Sequence, residues 1–315
     1  MALVQNGLFW YTAHMKNKQI LVLPLVFSAA IAFGDIAADK VVGVDGAKIA
    51  ARFKVEKQDK MQGFTRTIFE MDGCKAWVVE PDKPAADGRW VWCMEWPTAF
   101  QDRTGVKALL SAGYRWVTFN PASKTVYAGN QNDEMIAKRR AFQKFLVEEL
   151  GFAPKCGLIG MSWGGYYSVR YASTHPECVC AAYIDAPLLD FTTLPNFNGG
   201  GNWGRKGLSK YYPFITETYD GADDPYQSVN RADPIAKAGI PILILYGGKD
   251  TVVPPEKNCM KFAAAFEKAG GDLMIERRAG YGHHPHGVEP NEVQRIVNFF
   301  DRAYAPPKPV SQKSK

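Results

Sequence analysis

The residues with the clearest chemical potential in this sequence surround a serine, in the run Gly160-Met161-Ser162-Trp163-Gly164. An apolar pair precedes the run and a helix-forming segment follows it, so the pattern predicts a strand that turns sharply into a helix. Such a turn needs glycines on both sides, because a Cβ there would collide with the neighbouring backbone. The turn would hold the hydroxyl of Ser162 at the sheet edge and at the positive end of the helix. We therefore interpret Ser162 as a nucleophile, with an ordinary glycine-rich turn as the alternative.

A serine nucleophile needs a base to accept its proton and a carboxylate to orient that base. Of the five histidines, His14 lies in the leader, and His175 ends the helix after the serine, where it would point away from the turn. The other three occupy the run Gly282-His283-His284-Pro285-His286-Gly287. Elimination therefore places the base in this cluster.

The acid is suggested by the apolar strand at residues 242–246, which is followed by Gly247-Gly248-Lys249-Asp250. The chain order is then serine, aspartate, histidine, which is the order of the α/β-hydrolases. Asp250 could instead be a turn residue that caps the next helix. Asp185, at the end of the preceding strand, is the reserve candidate for the acid.

An oxyanion formed at this serine would need about two preorganised donors. One is predicted to be the backbone N–H of Trp163, the residue after the nucleophile. The second is expected from the loop after the strand at 89–94, either the N–H of Trp96 or that of Glu95, since Pro97 cannot donate. Glu95 and Trp96 also lie where a substrate would bind.

The three clustered histidines could alternatively bind a metal ion. They share one short loop that contains a proline, and no cysteine or carboxylate cluster completes a site. We therefore expect no metal and no cofactor. His284 and His286 are instead interpreted as structural, with a ring nitrogen bonded to the loop backbone.

The elements that must position these residues alternate along the chain. Residues 35–62 are polar and weakly periodic, and are interpreted as a loose lead-in. Strands are predicted near residues 64–71, 74–80, 89–94, 115–119, 157–160, 179–184, 241–246 and 273–277. Amphipathic helices are predicted near 133–150 and 256–269, with a last one after residue 290. Alternation of this kind predicts an α/β fold with a mostly parallel, doubly wound sheet, whose ligands bind beyond the carboxyl ends of the strands.

The first 34 residues are interpreted as a leader and secretory signal peptide, because a lysine-containing start precedes an apolar core and the small-residue triplet Ala30-Ile31-Ala32. The core is too short for a stable membrane span, so a secreted or periplasmic protein is expected.

Six cysteines in an exported protein could form at most one or two bridges. The net charge of +6 is a mild excess, and the run Lys138-Arg139-Arg140 is interpreted as solvated surface, so no nucleic-acid partner is expected. Residues 305–315 are rich in proline, lysine and serine, and a disordered tail is predicted.

From about residue 63 to about residue 304 the chain resembles an α/β-hydrolase. The runs Gly247-Gly248-Lys249-Asp250-Thr251-Val252-Val253-Pro254 and Gly282-His283-His284-Pro285-His286-Gly287 are similar to a branch of secreted bacterial α/β-hydrolases that includes carbohydrate-esterase relatives. The resemblance implies that Asp250 is the acid and that the base is a histidine of the cluster, with His283 favoured and His284 next. That branch often has arginine after the serine, where this chain has Trp163.

The resemblance also implies a catalytic domain at residues 35–304, with a lid insertion at about 187–238, before the acid strand. The insertion contains Asn, Gly and aromatic residues, among them Trp203, Tyr211, Tyr212 and Tyr219. Flat rings among amides suit a sugar, so Trp203, Glu95 and His284 are candidate substrate contacts. The alternative is a surface loop that packs on itself.

These features together predict a serine esterase that acts through an acyl-enzyme on an acetyl or methyl ester of a polysaccharide or sugar. A serine peptidase of the prolyl-oligopeptidase type has the same triad order, but such enzymes usually carry a large additional domain for which this chain has no room. A non-catalytic carbohydrate-binding relative is the third hypothesis, and the complete triad argues against it.

Overall fold

The computed structural model describes residues 36–122, 132–201, 204–222 and 224–305, all within one compact unit. In these ranges nine strands form one sheet. They are β1 Val55–Met61, β2 Phe64–Met71, β3 Cys74–Glu80, β4 Trp90–Cys93, β5 Arg115–Pro121, β6 Cys156–Met161, β7 Val179–Asp185, β8 Ile242–Gly247 and β9 Leu273–Arg278. Their spatial order is β1-β2-β3-β5-β4-β6-β7-β8-β9. The first three strands pair antiparallel with their neighbours, and the remaining pairings are parallel. The mostly parallel sheet predicted from the sequence is therefore confirmed.

Helices cover both faces of this sheet because the side chains of its strands alternate in direction. The helices are α1 Val44–Ala50, α2 Val106–Ser111, α3 Asp133–Glu148, α4 Trp163–Thr174, α5 Arg205–Leu208, α6 Ala232–Lys237, α7 Cys259–Lys268 and α8 Gln294–Tyr304. In β4, Trp90 and Trp92 join the core beneath α3 and α4, whereas Val91 and Cys93 face the core formed with α2 and α8.

One prediction about α3 is wrong. Arg139 is not solvated surface but fully buried, and its guanidinium donates to the side-chain oxygen of Asn120 at 3.0 Å. A charge can be buried in this way when its donors find partners and its stem packs on apolar atoms. The guanidinium lies 5.2 Å from the centre of the Tyr167 ring, so one charge of the basic run belongs to the core.

The interpretation of residues 35–62 as a loose lead-in is also wrong. Residues 44–50 form α1 and residues 55–61 form the edge strand β1. Only Val55 and Met61 of β1 are buried, so the sequence of this edge strand shows no alternation of apolar and polar residues. Its hydrogen bonds to β2 hold it in the sheet. Helix α1 is anchored through Asp45, whose buried carboxylate accepts a hydrogen bond from Arg115 at 2.6 Å. Local periodicity of the sequence reveals neither the pairing of β1 with β2 nor that of Asp45 with Arg115.

All six cysteines lie in the described ranges and are free thiols. Within those ranges, no helix has the length and apolar character needed to cross a membrane. The predicted signal peptide, most of the predicted tail and Trp203 fall outside the described residues.

Candidate active site

Ser162 lies at the junction between β6 and α4, with φ of 51° and ψ of −116°. A non-glycine residue with positive φ is strained, and such strain is tolerated where the surroundings fix it. A Cβ at Gly160 would lie 2.3 Å from the carbonyl oxygen of Gly164, and one at Gly165 would lie 2.2 Å from Cβ of Pro187. The glycines around the serine are therefore required by close packing, as the sequence predicted.

The structure brings the three predicted triad residues together from three different connections. The Nε2 atom of His283 lies 3.1 Å from Oγ of Ser162. The Nδ1 atom of the same ring lies 2.8 Å from Oδ2 of Asp250. Both distances are within hydrogen-bond range, so the arrangement can carry the serine proton to the imidazole while the carboxylate orients the ring.

Asp250 is held ionised by its surroundings. Burial by itself would raise the pKa of this carboxyl, but hydrogen bonds from His283 and from the amides of Val252 and Val253 outweigh burial and lower the pKa. Both amides donate to Oδ1 at 2.9 Å, which leaves Oδ2 for His283. Because an ionised carboxylate only accepts, Nδ1 of His283 carries the proton and Nε2 can accept from Ser162.

The two predicted oxyanion donors lie on segments that pack together, and the amide of Trp96 has a hydrogen-bond partner. Trp163 is the first residue of α4, directly after Ser162. Gly164 packs on the loop after β4, since a Cβ there would lie 3.3 Å from the nitrogen of Glu95. The amide of Trp96 donates to Oε1 of Glu95 at 3.2 Å, so an oxyanion would have to compete with this carboxyl. The side chain of Trp163 is buried against Tyr166 and Tyr167 rather than directed at a substrate.

Glu95 is only 7% exposed, and burial raises the pKa of its carboxyl to about 7, against the smaller opposing effects of the Trp96 amide and Arg139. An ionised carboxylate beside an oxyanion donor would oppose the negative charge of a transition state. The proton on Glu95 therefore bears on both stability and catalysis.

We expect Glu95→Gln to stabilise the protein more at pH 8 than at pH 5. The unfolded carboxyl ionises near its ordinary value of 4.5, whereas the folded one retains its proton until about pH 7. The stability associated with protonated Glu95 is therefore present at low pH and is lost as the pH rises from about 4.5 through about 7, by roughly 3 kcal/mol. Glutamine does not titrate, so the difference in Tm between variant and wild type should grow over this window.

Thermal unfolding at both pH values measures this difference. Glu267→Gln, at an exposed position of α7, is the matched control and should give the same small difference at both. An equal Tm difference for Glu95→Gln at pH 5 and pH 8 would contradict the effect of burial.

His284 and His286 have different environments. His284 keeps part of its surface exposed while it stacks on Phe100, and desolvation of the covered part, together with the neighbouring His283 and His286, lowers its pKa to about 4. His286 is buried and does have a structural bond, but its partner is the carboxylate of Asp185 at 2.9 Å, not the loop backbone. Asp185, the reserve acid, therefore pairs with His286 and not with the base.

Among the described residues, His283, His284 and His286 form a group that could hold a metal ion, since their ligand atoms lie within 4.8 Å of one another. Both ring nitrogens of His283 are already directed at Asp250 and Ser162. Coordination by His283 would therefore displace the serine hydroxyl. The His283 ring can therefore either coordinate a metal ion or accept the proton of Ser162, but it cannot do both at once.

Most of the described aromatic residues of the insertion between β7 and β8 pack on one another. Phe197 and Tyr212 are buried. Phe191 stacks on Tyr212 at 5.9 Å and on Tyr219 at 6.1 Å, between ring centroids. The insertion therefore builds its own small core, which is the alternative that the sequence left open, and these rings are not available to stack on a sugar.

The insertion is also tied to the rest of the domain. Asn258, at the start of α7, accepts from the amides of Leu189 and Asp190 at 2.8 and 2.9 Å. The Tyr166 hydroxyl, from α4, donates to the carbonyl of Tyr226.

With this geometry in place, comparison with known proteins decides the family. The family described as "Prolyl oligopeptidase family" matches residues 122–306, more than half of the 315-residue chain. The chain belongs to this family. It is a serine hydrolase, and the matched residues include Ser162, Asp250 and His283.

Solved structures share the fold of this family member at low sequence identity. An S-formylglutathione hydrolase from Agrobacterium tumefaciens is 16% identical with a TM-score of 0.53, and the match covers 79% of this chain and 96% of the hydrolase. Dipeptidyl peptidase 4 from Porphyromonas gingivalis is 16% identical with a TM-score of 0.53, covering 81% and 36%. The acylaminoacyl peptidase of Pyrococcus horikoshii is 15% identical with a TM-score of 0.54, covering 78% and 41%. No curated protein sequence matches significantly.

These likenesses confirm the α/β-hydrolase fold that the sequence predicted. The matched part of this chain corresponds to nearly the whole of the A. tumefaciens hydrolase. It spans only about two fifths or less of the two peptidases.

Proposed function

We propose that this chain is a serine esterase that cleaves a carboxylic ester through an acyl-enzyme. The observation that carries the proposal is the hydrogen-bonded series from Ser162 through His283 to Asp250. Ser162 attacks the ester carbonyl while His283 accepts its proton, and the protonated ring then donates to the departing alcohol. His283 next takes a proton from water, which attacks the acyl carbonyl, and the ring returns that proton to Oγ of Ser162 as the bond to the acyl group breaks and the acid leaves.

One likeness supports an ester as the substrate. The S-formylglutathione hydrolase from A. tumefaciens shares this fold and is matched over 96% of its length. The two peptidases share the fold as well, with 36% and 41% of their chains in the match. Peptide cleavage is the second candidate, and it rests on the family itself.

For the substrate we propose an acetyl or methyl ester on a sugar or polysaccharide, handled outside the cytoplasm. Support comes from the resemblance of the Asp250 and His283 segments to secreted bacterial relatives and from the leader-like start of the sequence. Trp96, which is partly exposed and whose amide is a candidate oxyanion donor, is our candidate aromatic contact for such a substrate.

The test is a substrate panel assayed with wild type and Ser162→Ala. The panel holds aryl esters from acetyl to octanoyl, acetylated and methyl-esterified polysaccharides, and aminoacyl and prolyl anilides. Serine-dependent release of acetate or methanol from a polysaccharide is the expected result. Cleavage of anilides without esters would favour the peptidase, and saturable sugar binding with no turnover would favour the binding relative.

A further inference from the structure

Asp185 touches both halves of the candidate active site. It ends β7, next to the strand that leads to Ser162, and its backbone carbonyl accepts the N–H of Ser162 at 3.0 Å. Its side chain faces the segment 282–287, which we call the histidine loop because it contains His283. One residue therefore contacts the turn of the nucleophile and the loop of the base.

The carboxylate of Asp185 has no exposed surface and accepts four hydrogen bonds. The donors are Arg278 at 2.7 Å, Gly287 N–H at 2.8 Å, His286 Nδ1 at 2.9 Å and Tyr183 hydroxyl at 3.1 Å. A buried carboxylate is tolerated when its lone pairs are filled and a cation accompanies it. Two of the four donors belong to the histidine loop, so the carboxylate holds that loop directly.

Arg278 holds the loop from its other side. The guanidinium bonds to Asp185 and also donates to the carbonyls of Pro285 and Gly287. Gly287 has φ of 90°, and a Cβ there would lie 2.4 Å from the carbonyl oxygen of Arg103. The loop therefore has very little freedom to move relative to β7 and β9.

The ring of His286 transmits this constraint to the base. It meets the ring of His283 nearly at right angles, at 81° and 5.0 Å between centroids. Asp250 bonds the edge of the His283 ring but does not by itself prevent the ring from tilting. The His286 ring packs against His283 and opposes that tilt.

We propose that Asp185 and His286 form a positioning pair that sets the distance between nucleophile and base. Asp185 fixes Ser162 through its carbonyl and the histidine loop through its carboxylate, and His286 carries that position to His283. The pair touches no reacting atom, and its role rests on the triad assigned above. Such positioning matters because a misplacement of about 1 Å can cost about 100-fold in rate.

The experiment compares His286→Phe, which keeps a ring but cannot donate to Asp185, with His286→Asn, whose amide can. For each we would measure kcat and KM on an aryl acetate, the pH dependence of kcat/KM, and the rate of Ser162 labelling by a fluorophosphonate. His175→Phe and His175→Asn, at the far end of α4, are the matched controls and should stay within about twofold of wild type. Titration with the fluorophosphonate counts the active sites, and kcat is expressed per labelled site so that unfolded enzyme does not lower it.

We expect His286→Phe to lower kcat by 10- to 100-fold with KM nearly unchanged and to move the acid limb of the pH profile. His286→Asn should recover only part of the rate, because its amide restores the bond to Asp185 but it has no ring to pack on His283. Wild-type kcat per labelled site in His286→Phe, even with a lower Tm, would show a merely structural residue and overturn the pair alone. Failure of the probe to label wild type would overturn the triad, and the pair with it.

Discussion

Replacing Ser162 with alanine should lower kcat/KM by roughly 10⁴- to 10⁶-fold, because no other group can take up the acyl chain at this position. The fold should persist, since the backbone bond from Ser162 to Asp185 and the packing of the flanking glycines do not involve the hydroxyl. Activity on an aryl ester and labelling by a fluorophosphonate measure the loss, and thermal unfolding measures the fold.

Ser168→Ala is the matched control for this variant. Ser168 lies in α4, six residues after Ser162, and its hydroxyl donates to the carbonyl of Gly164 at 2.8 Å. Its removal should leave kcat/KM within a few-fold of wild type, because it cannot reach the substrate side of the turn. Substantial ester hydrolysis by Ser162→Ala would contradict the assignment of the nucleophile.

Asp250→Asn should lower kcat by roughly 10⁴-fold at neutral pH with the structure retained. The amides of Val252 and Val253 both donate to Oδ1, so the asparagine oxygen will stay at that position. Its NH₂ then replaces Oδ2, 2.8 Å from Nδ1 of His283. Because the NH₂ can only donate, Nδ1 becomes the acceptor and the proton moves to Nε2, where it blocks acceptance from Ser162.

The measurement is kcat across pH, with unfolding followed in parallel. Asp272→Asn, which affects an exposed ion pair with Arg302, serves as the control and should retain nearly full activity. Full activity in Asp250→Asn, together with loss of activity in Asp185→Asn, would contradict the assignment. Asp185 would then be the triad acid, and Asp250 would not.

The location of the triad could be predicted from sequence because each member follows a strand in the parallel part of the sheet. The carboxyl ends of such strands lie at one edge, so Ser162 after β6 and Asp250 after β8 had to be near each other. The choice of His283 over His284 depended on resemblance to known proteins. Local pattern alone does not distinguish two adjacent histidines, and only the contacts with Asp250 and Ser162 do so.

Partners that are distant in sequence were beyond prediction. The sequence makes Asp185 and His286 candidates for the site, but nothing in their spacing indicates that they bond to each other through a loop also held by Arg278. Glu95 was expected near the substrate, yet its raised pKa and its bond to the Trp96 amide depend on burial in three dimensions. The aromatic residues of the insertion suited either a sugar or one another, and packing selected the second for most of those described.

The sequence by itself determined the strands from β2 onward, the glycine-lined turn at Ser162 and the set of residues from which the triad is drawn. These follow from local rules, because side-chain periodicity and glycine sterics act over a few residues. Tertiary structure alone decided which histidine meets the serine, which carboxylate meets which histidine and which charged groups are buried. Those outcomes depend on contacts between segments 93 to 121 residues apart, whose energies no local pattern contains.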